Sequence, residues 1–187
     1  MRNGAPVSPL GLLAAAAQPP ALSTIAIAGA IESAHARGEP AMRLLRGLDP
    51  AEFTTLLDTL FPGARSRIAL PSDGSGAADD LDVEFAELLR LLLEAAEPRE
   101  AESRWLACAI ASAALFDNHL WQDLQLPDRK ALSTLLATRF GTLARRNTAH
   151  MRWKAFFYKQ LCDRAGAVCR SPSCAACDDY NECFGTE

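Results

Sequence analysis

Apolar side chains recur at helical spacing along most of this chain. Between Leu81 and Ala96, residues Phe85, Leu88, Leu89, Leu92 and Leu93 fall at i, i+3, i+4, i+7 and i+8, the stripe of a helix with one face on a core. Asp49-Pro50-Ala51-Glu52 supplies an N-cap, a proline at the first helical position and a capping-box glutamate. A helix is therefore expected to start there, to bury Phe53, Leu56, Leu57 and Leu60, and to stop at Pro62-Gly63. A weaker helix is read over 23–37, ending at Gly38, another from about Arg99 to Leu115, and shorter ones at 119–124, 128–139 and 148–162. In the last, Trp153, Phe156, Phe157 and Leu161 share one face while Arg152 and Lys159 lie elsewhere, which marks an aromatic core stripe. Residues 1–20 lack either periodicity and include Pro19-Pro20, so they read as a flexible lead-in, and Pro71-Ser72-Asp73-Gly74-Ser75-Gly76 opens a flexible linker over about 71–80. The expected fold class is all-α: a single helical domain over 21–165, followed by an irregular cysteine-rich tail over 166–187.

Composition agrees with this picture and narrows the function. The chain has 187 residues, 49% of them hydrophobic, enough for one domain with its own core. Ala and Leu are abundant and strand formers sparse, which excludes an all-β fold. The net charge of −4 argues against a general nucleic-acid binder, but the average conceals an asymmetry. Residues 1–128 sum to −9, residues 129–162 to +8 with no acidic residue, and residues 163–187 to −3. The apolar run Leu10 to Ala17 follows Arg2 but is preceded by Pro6 and Pro9, making a poor secretory signal, and no run reaches the roughly 18 apolar residues of a membrane span. A cytoplasmic, membrane-free protein is the expectation.

Four of the six cysteines lie in the tail, as Cys169-x4-Cys174-x2-Cys177-x5-Cys183, with no histidine among them. A disulfide framework spreads over a small secreted domain; a dense terminal cluster on a chain with its own core reads as metal binding or redox chemistry. Four soft ligands this close suit zinc or an iron–sulfur cluster. The unequal gaps, all from one loop, favour a chain wrapped round a larger cluster over the paired short knuckles of structural zinc, with redox thiols third. The tail holds too few apolar residues to order itself, and bound metal would supply that order. Cys108 reads as a small buried hydrophobe. Cys162, seven residues before Cys169, is within reach of the same centre. His35 is expected to be exposed; His119 and His150 are secondary ligand candidates beside a simpler structural role. In the basic block, Arg139, Arg145, Arg146, Arg152, Lys154 and Lys159 could compensate an anionic thiolate-held cluster or an oxyanion delivered to it. A solvated face, or one that docks an acidic partner, accounts for the same charges.

From about Trp105 to Gly185 the chain resembles the nitrogen-fixation protein family NifQ, whose members are molybdenum-handling iron–sulfur proteins. The resemblance rests on Asn118-His119-Leu120-Trp121-Gln122-Asp123-Leu124, Arg146-Asn147, the run from Met151 to Cys162, and the C-x4-C-x2-C-x5-C tail ending Cys183-Phe184-Gly185. Residues 1–100 carry no such motif. The resemblance implies that Cys169, Cys174, Cys177 and Cys183 hold an iron–sulfur centre able to carry molybdate-derived molybdenum. It further implies a carrier rather than a turnover enzyme, one that supplies molybdenum for biosynthesis of nitrogenase's iron–molybdenum cofactor. The implied partners are the nitrogenase iron protein and the cofactor-assembly scaffold. A [4Fe–4S] electron-transfer protein and a zinc-stapled interaction module remain the alternatives on the cysteines alone.

Overall fold

The computed structural model describes residues 10–68 and 82–165. Among these the chain is all-helical, with eight α-helices and no strand. In order they are α1 (Leu22–Ala36), α2 (Pro50–Leu60), α3 (Val83–Ala95), α4 (Ala101–Ala114), α5 (Leu120–Asp123), α6 (Arg129–Arg139), α7 (Gly141–Ala144) and α8 (Trp153–Ala165). Short 3₁₀ turns lie at Leu12–Ala14, Ala41–Arg43 and Ala64–Arg67. No helix among the described residues is long and apolar enough to cross a membrane. The linker around 71–80 and the tail from 166 lie outside the described residues.

Helix α4 is the axis of the domain. Every residue from Trp105 to Ala114 is buried, which is what a helix apolar on all sides requires, and α1 and α3 pack against it. Helix α3 delivers the stripe read from its spacing: Phe85, Leu88, Leu89 and Leu92 are buried and Leu93 packs against the same core. Helix α1 lacks a clear stripe because Ala26 to Ile31 are all buried. Its small residues permit close crossing: a Cβ added at Gly29 would lie 2.0 Å from the carbonyl oxygen of Leu124, just past the end of α5.

Local signals set the helix ends, and long-range contacts altered two of the expectations. Asp49 caps α2 by accepting from the Glu52 N–H at 2.8 Å, with Pro50 in the first helical position. The Glu52 carboxylate instead accepts from Arg104 Nε at 3.0 Å, so it ties α2 to α4. Within the expected lead-in, residues 10–20 are ordered. Leu10, Leu12 and Ala16 are buried. The N–H groups of Leu10 and Leu12 donate to the Glu32 carboxylate at 2.8 and 3.1 Å, and Arg67 donates to the carbonyls of Leu10 and Gly11. Residues 1–9 lie outside the described set. The last helix begins at Trp153 rather than near 148. Asn147 closes a loop ahead of it, donating from Nδ2 to the Met151 carbonyl and accepting the Met151 N–H, both at 2.9 Å.

Candidate functional site

The eight cations of segment 129–162 are divided by the fold into inward-facing ties and a surface cleft. Lys154, in the first turn of α8, reaches into the α4–α5 loop. Its Nζ donates to the carbonyls of Phe116 (2.6 Å) and Asn118 (2.5 Å) and lies 3.0 Å from Asp123 Oδ2. The Asp123 side chain is wholly buried. Its other oxygen accepts from Arg37 at 2.8 Å and from Asn118 Nδ2 at 3.0 Å, while the Arg37 guanidinium also sits 4.2 Å from the centre of the Phe116 ring. With these donors the buried carboxylate is fully partnered, and it joins α1, α5 and α8. Burial pulls the Lys154 pKa below its ordinary 10.5, although the Asp123 charge and hydrogen bond act in the opposite direction. Arg139, at the end of α6, donates at 2.5 Å to Glu102 Oε1, which also accepts from Ser23 at 2.6 Å. The charges of Lys154 and Arg139 are thus spent on holding helices together.

The remaining cations lie further out. Lys159 forms an exposed i,i+4 pair with Asp163 at 2.9 Å, a contact of little energetic weight. Arg152 is half-buried at the start of α8, and Arg146 is exposed. Arg145 borders a cleft of about 880 Å³ together with Arg129 and Lys130 of α6, Asn147, His150 and Met151. Trp153 and Ser133 also line it, and the indole N–H of Trp153 donates to Ser133 Oγ at 3.0 Å. His150 is exposed on the rim with a φ of +52°, a left-handed conformation that favours glycine, and its carbonyl accepts from Arg129 at 2.7 Å. The sequence singled out Arg145 and His150 here but not Arg129 and Lys130; their signal was membership of the acid-free segment.

The thiols divide as well. Cys108 is fully buried in α4, and burial pushes its thiol up to about 12, only partly opposed by Arg104. It is the inert hydrophobe that the sequence suggested. Cys162 is half-buried near the end of α8. From Trp153 at the cleft to Cys162, about 14 Å of helix intervenes at 1.5 Å per residue, so α8 separates His150 from Cys162. His119 is exposed at the start of α5, its backbone N–H held by Gln122 Oε1 at 3.1 Å, and His35, expected to be exposed, is half-buried. Among the described residues no three His, Cys, Asp or Glu side chains come together as a metal site. Cys169, Cys174, Cys177 and Cys183 lie outside the described residues.

Both ends of α8 are fixed. Trp153, Phe156, Phe157 and Leu161 are buried, with Trp153 edge-on to Phe156 at 5.7 Å between ring centres. On the other side Tyr158 bonds Glu84, and Arg164 pairs with Glu94 at 2.6 Å, clamping α8 to α3. The C-terminal half of α8 is therefore held against α3.

Comparison with known proteins adds a family relationship. The NifQ family model matches residues 26–185. Protein NifQ of Azotobacter vinelandii is 41% identical over 151 residues, covering 75% of this chain and 77% of that protein. Protein NifQ of Rhodobacter capsulatus is 38% identical over 169 residues, 89% of each chain. A Protein NifQ homolog of Sinorhizobium fredii is 37% identical over 150 residues, covering 80% of this chain and 64% of the relative. No solved structure matches the chain.

Proposed function

Because the chain belongs to the NifQ family of nitrogen-fixation proteins, we propose that it is an iron–sulfur molybdenum carrier supplying the metal for biosynthesis of nitrogenase's iron–molybdenum cofactor. The observation that carries this reading is the donor set Cys169, Cys174, Cys177 and Cys183, which lies inside the matched range. Four thiols within 15 residues fit an iron–sulfur centre: they are soft, they deprotonate on binding, and their number matches the four ligands such centres take. Bound there, the centre supplies sulfur ligands soft enough to hold molybdenum as cargo.

The chain's own contribution is positional. The aromatic face of α8 and its clamps to Glu84 and Glu94 hold in place the helix that precedes the thiol-bearing segment in sequence. The Asp123 network in turn holds the first turn of α8 through Lys154. Carriage rather than turnover is part of the same proposal and rests on the resemblance to the NifQ family. The nitrogenase iron protein and the cofactor-assembly scaffold are the proposed recipients, met in the cytoplasm. Anaerobic purification followed by elemental analysis tests the reading. Iron with molybdenum after growth on molybdate is expected; one tightly held zinc and no iron would overturn it in favour of a zinc-stapled module. A reversibly reducible cluster that takes up no molybdenum would replace the carrier with an electron-transfer protein.

A further inference from the structure

The cleft between α6, the α7 end and the loop 147–151 has the composition of an anion site rather than of a solvated face. Arg129, Lys130 and Arg145 line it, with no Asp or Glu in the lining. Among the described residues none of the three pairs with a carboxylate, whereas Arg37, Arg104, Arg139, Lys154, Lys159 and Arg164 all do. The nearest acid in sequence, Asp128, is spent on capping α6, accepting the Ala131 N–H at 2.7 Å. Arg129 and Lys130 occupy the first two positions of α6, an 11-residue helix with no acidic residue in its first turn. There the helix dipole opposes them, so the arrangement concentrates positive potential at a cost in local stability. The His150 ring, the Ser133 hydroxyl that accepts from Trp153, and the Asn147 amide that bonds the Met151 backbone also line it, together with Trp153 and Met151. A volume of about 880 Å³ is that of a small-molecule site and admits an anion with part of its water.

We propose that this cleft binds a tetrahedral oxyanion dianion, and that it does so independently of the tail cysteines. Arg145 carries a planar fork that matches paired oxygens; Arg129, with one N–H on the His150 carbonyl, keeps its other donors, and Lys130 adds a point charge. The proposal deepens the carrier reading, on which its physiological side rests: molybdate, the oxidised form in which molybdenum would arrive, is one member of this class, and phosphate and sulfate are the others. Binding itself is noncovalent and requires no electron or proton transfer.

The test uses the full-length chain, purified free of metal, titrated calorimetrically with molybdate, sulfate and phosphate at low ionic strength. Saturable 1:1 binding of at least one is expected, weakened tenfold or more by Arg145→Gln and by Lys130→Gln, and retained when all four tail cysteines are replaced by serine. Arg145→Lys keeps the charge but loses the fork, and is expected to weaken binding as well. Lys159→Gln, outside the cleft, is the control, and unchanged helix content by circular dichroism shows that the variants fold. Competition among the three anions tells molybdate selectivity from general oxyanion binding. Absence of saturable binding for all three, binding untouched by the Arg145 and Lys130 variants, or binding lost with the tail cysteines would each overturn the proposal. The carrier reading fails separately, by the metal content of the anaerobically isolated protein.

Discussion

Lys154 Nζ lies 3.0 Å from Asp123 Oδ2, a carboxylate with no solvent exposure at all, and this pair joins two of the motifs by which the chain resembles its family. Residues of that kind invite a functional reading, yet here the charge is turned inward. Asp123 needs its donors because an ion buried without partners is strongly unfavourable.

Lys154→Met is expected to destabilise the fold by about 3 kcal/mol, since one partner of a buried pair is removed while Arg37 remains on Asp123. Urea denaturation gives the value. A change within experimental error of zero would mean that the network contributes nothing net, and adding Asp123→Asn to the variant should recover part of the loss.

Gly29→Ala should be harmful although alanine is the better helix former. The added methyl would sit 2.0 Å from the Leu124 carbonyl oxygen and 2.3 Å from its carbon, backbone atoms that move only if α5 moves. A loss of about 3 kcal/mol or more is expected, at the upper end of overpacking costs. A melting temperature equal to the parent's would show that α1 and α5 do not cross this closely.

The Cys108 thiol gives a pH signature. Its pKa is near 12 in the fold and 9.0 without perturbation, so between those values the unfolded chain releases a proton that the native chain keeps. Stability from this group is full below about pH 9 and falls as pH rises towards 12, by at most about 1.4 kcal/mol per unit. The stability difference between the parent and Cys108→Ala should therefore shrink between pH 8 and pH 10.5. At pH 8 a thiol reagent should also label Cys162 and spare Cys108 until denaturant is added. Rapid native labelling of Cys108 would contradict its burial.

Cys174→Ala or Cys177→Ala should abolish visible iron–sulfur absorption after anaerobic isolation, because each removes one proposed thiolate ligand. Cys108→Ala should leave the spectrum intact. Undiminished absorption in both tail variants would move the proposed centre away from these cysteines.

Arg145 and Arg152 separate two uses of surface charge. Replacing both by glutamate should reduce molybdenum loading and transfer, whereas Arg145→Lys, which keeps the charge and loses the fork, should reduce loading alone and spare a long-range encounter, which salt screens beyond about 8 Å at physiological ionic strength. The molybdenum-to-iron ratio of reconstituted variants, at low and high salt, reads both. No change in either quantity would leave the segment as a solvated face.

The sequence alone determined what depends on neighbours a few residues apart. The α3 stripe, the Asp49-Pro50 start of α2, the aromatic face of α8, the burial of Cys108 and the tail's thiol spacing are all local patterns, because helical periodicity and capping act within one or two turns. Family membership followed from motifs of the same kind. The tertiary structure decided how the charges are used, since electrostatic partners meet across distances that no local pattern encodes. Asp123 and Lys154 are 31 residues apart and Glu102 and Arg139 are 37 apart, so two members of the basic segment are consumed inside the fold. Glu32 and Arg67 likewise fix residues 10–12 from 20 or more positions away, ordering a stretch whose composition read as loose. The three cations left around one cleft, Arg129, Lys130 and Arg145, were selected by the packing of α6, α7 and α8, not by their spacing along the chain.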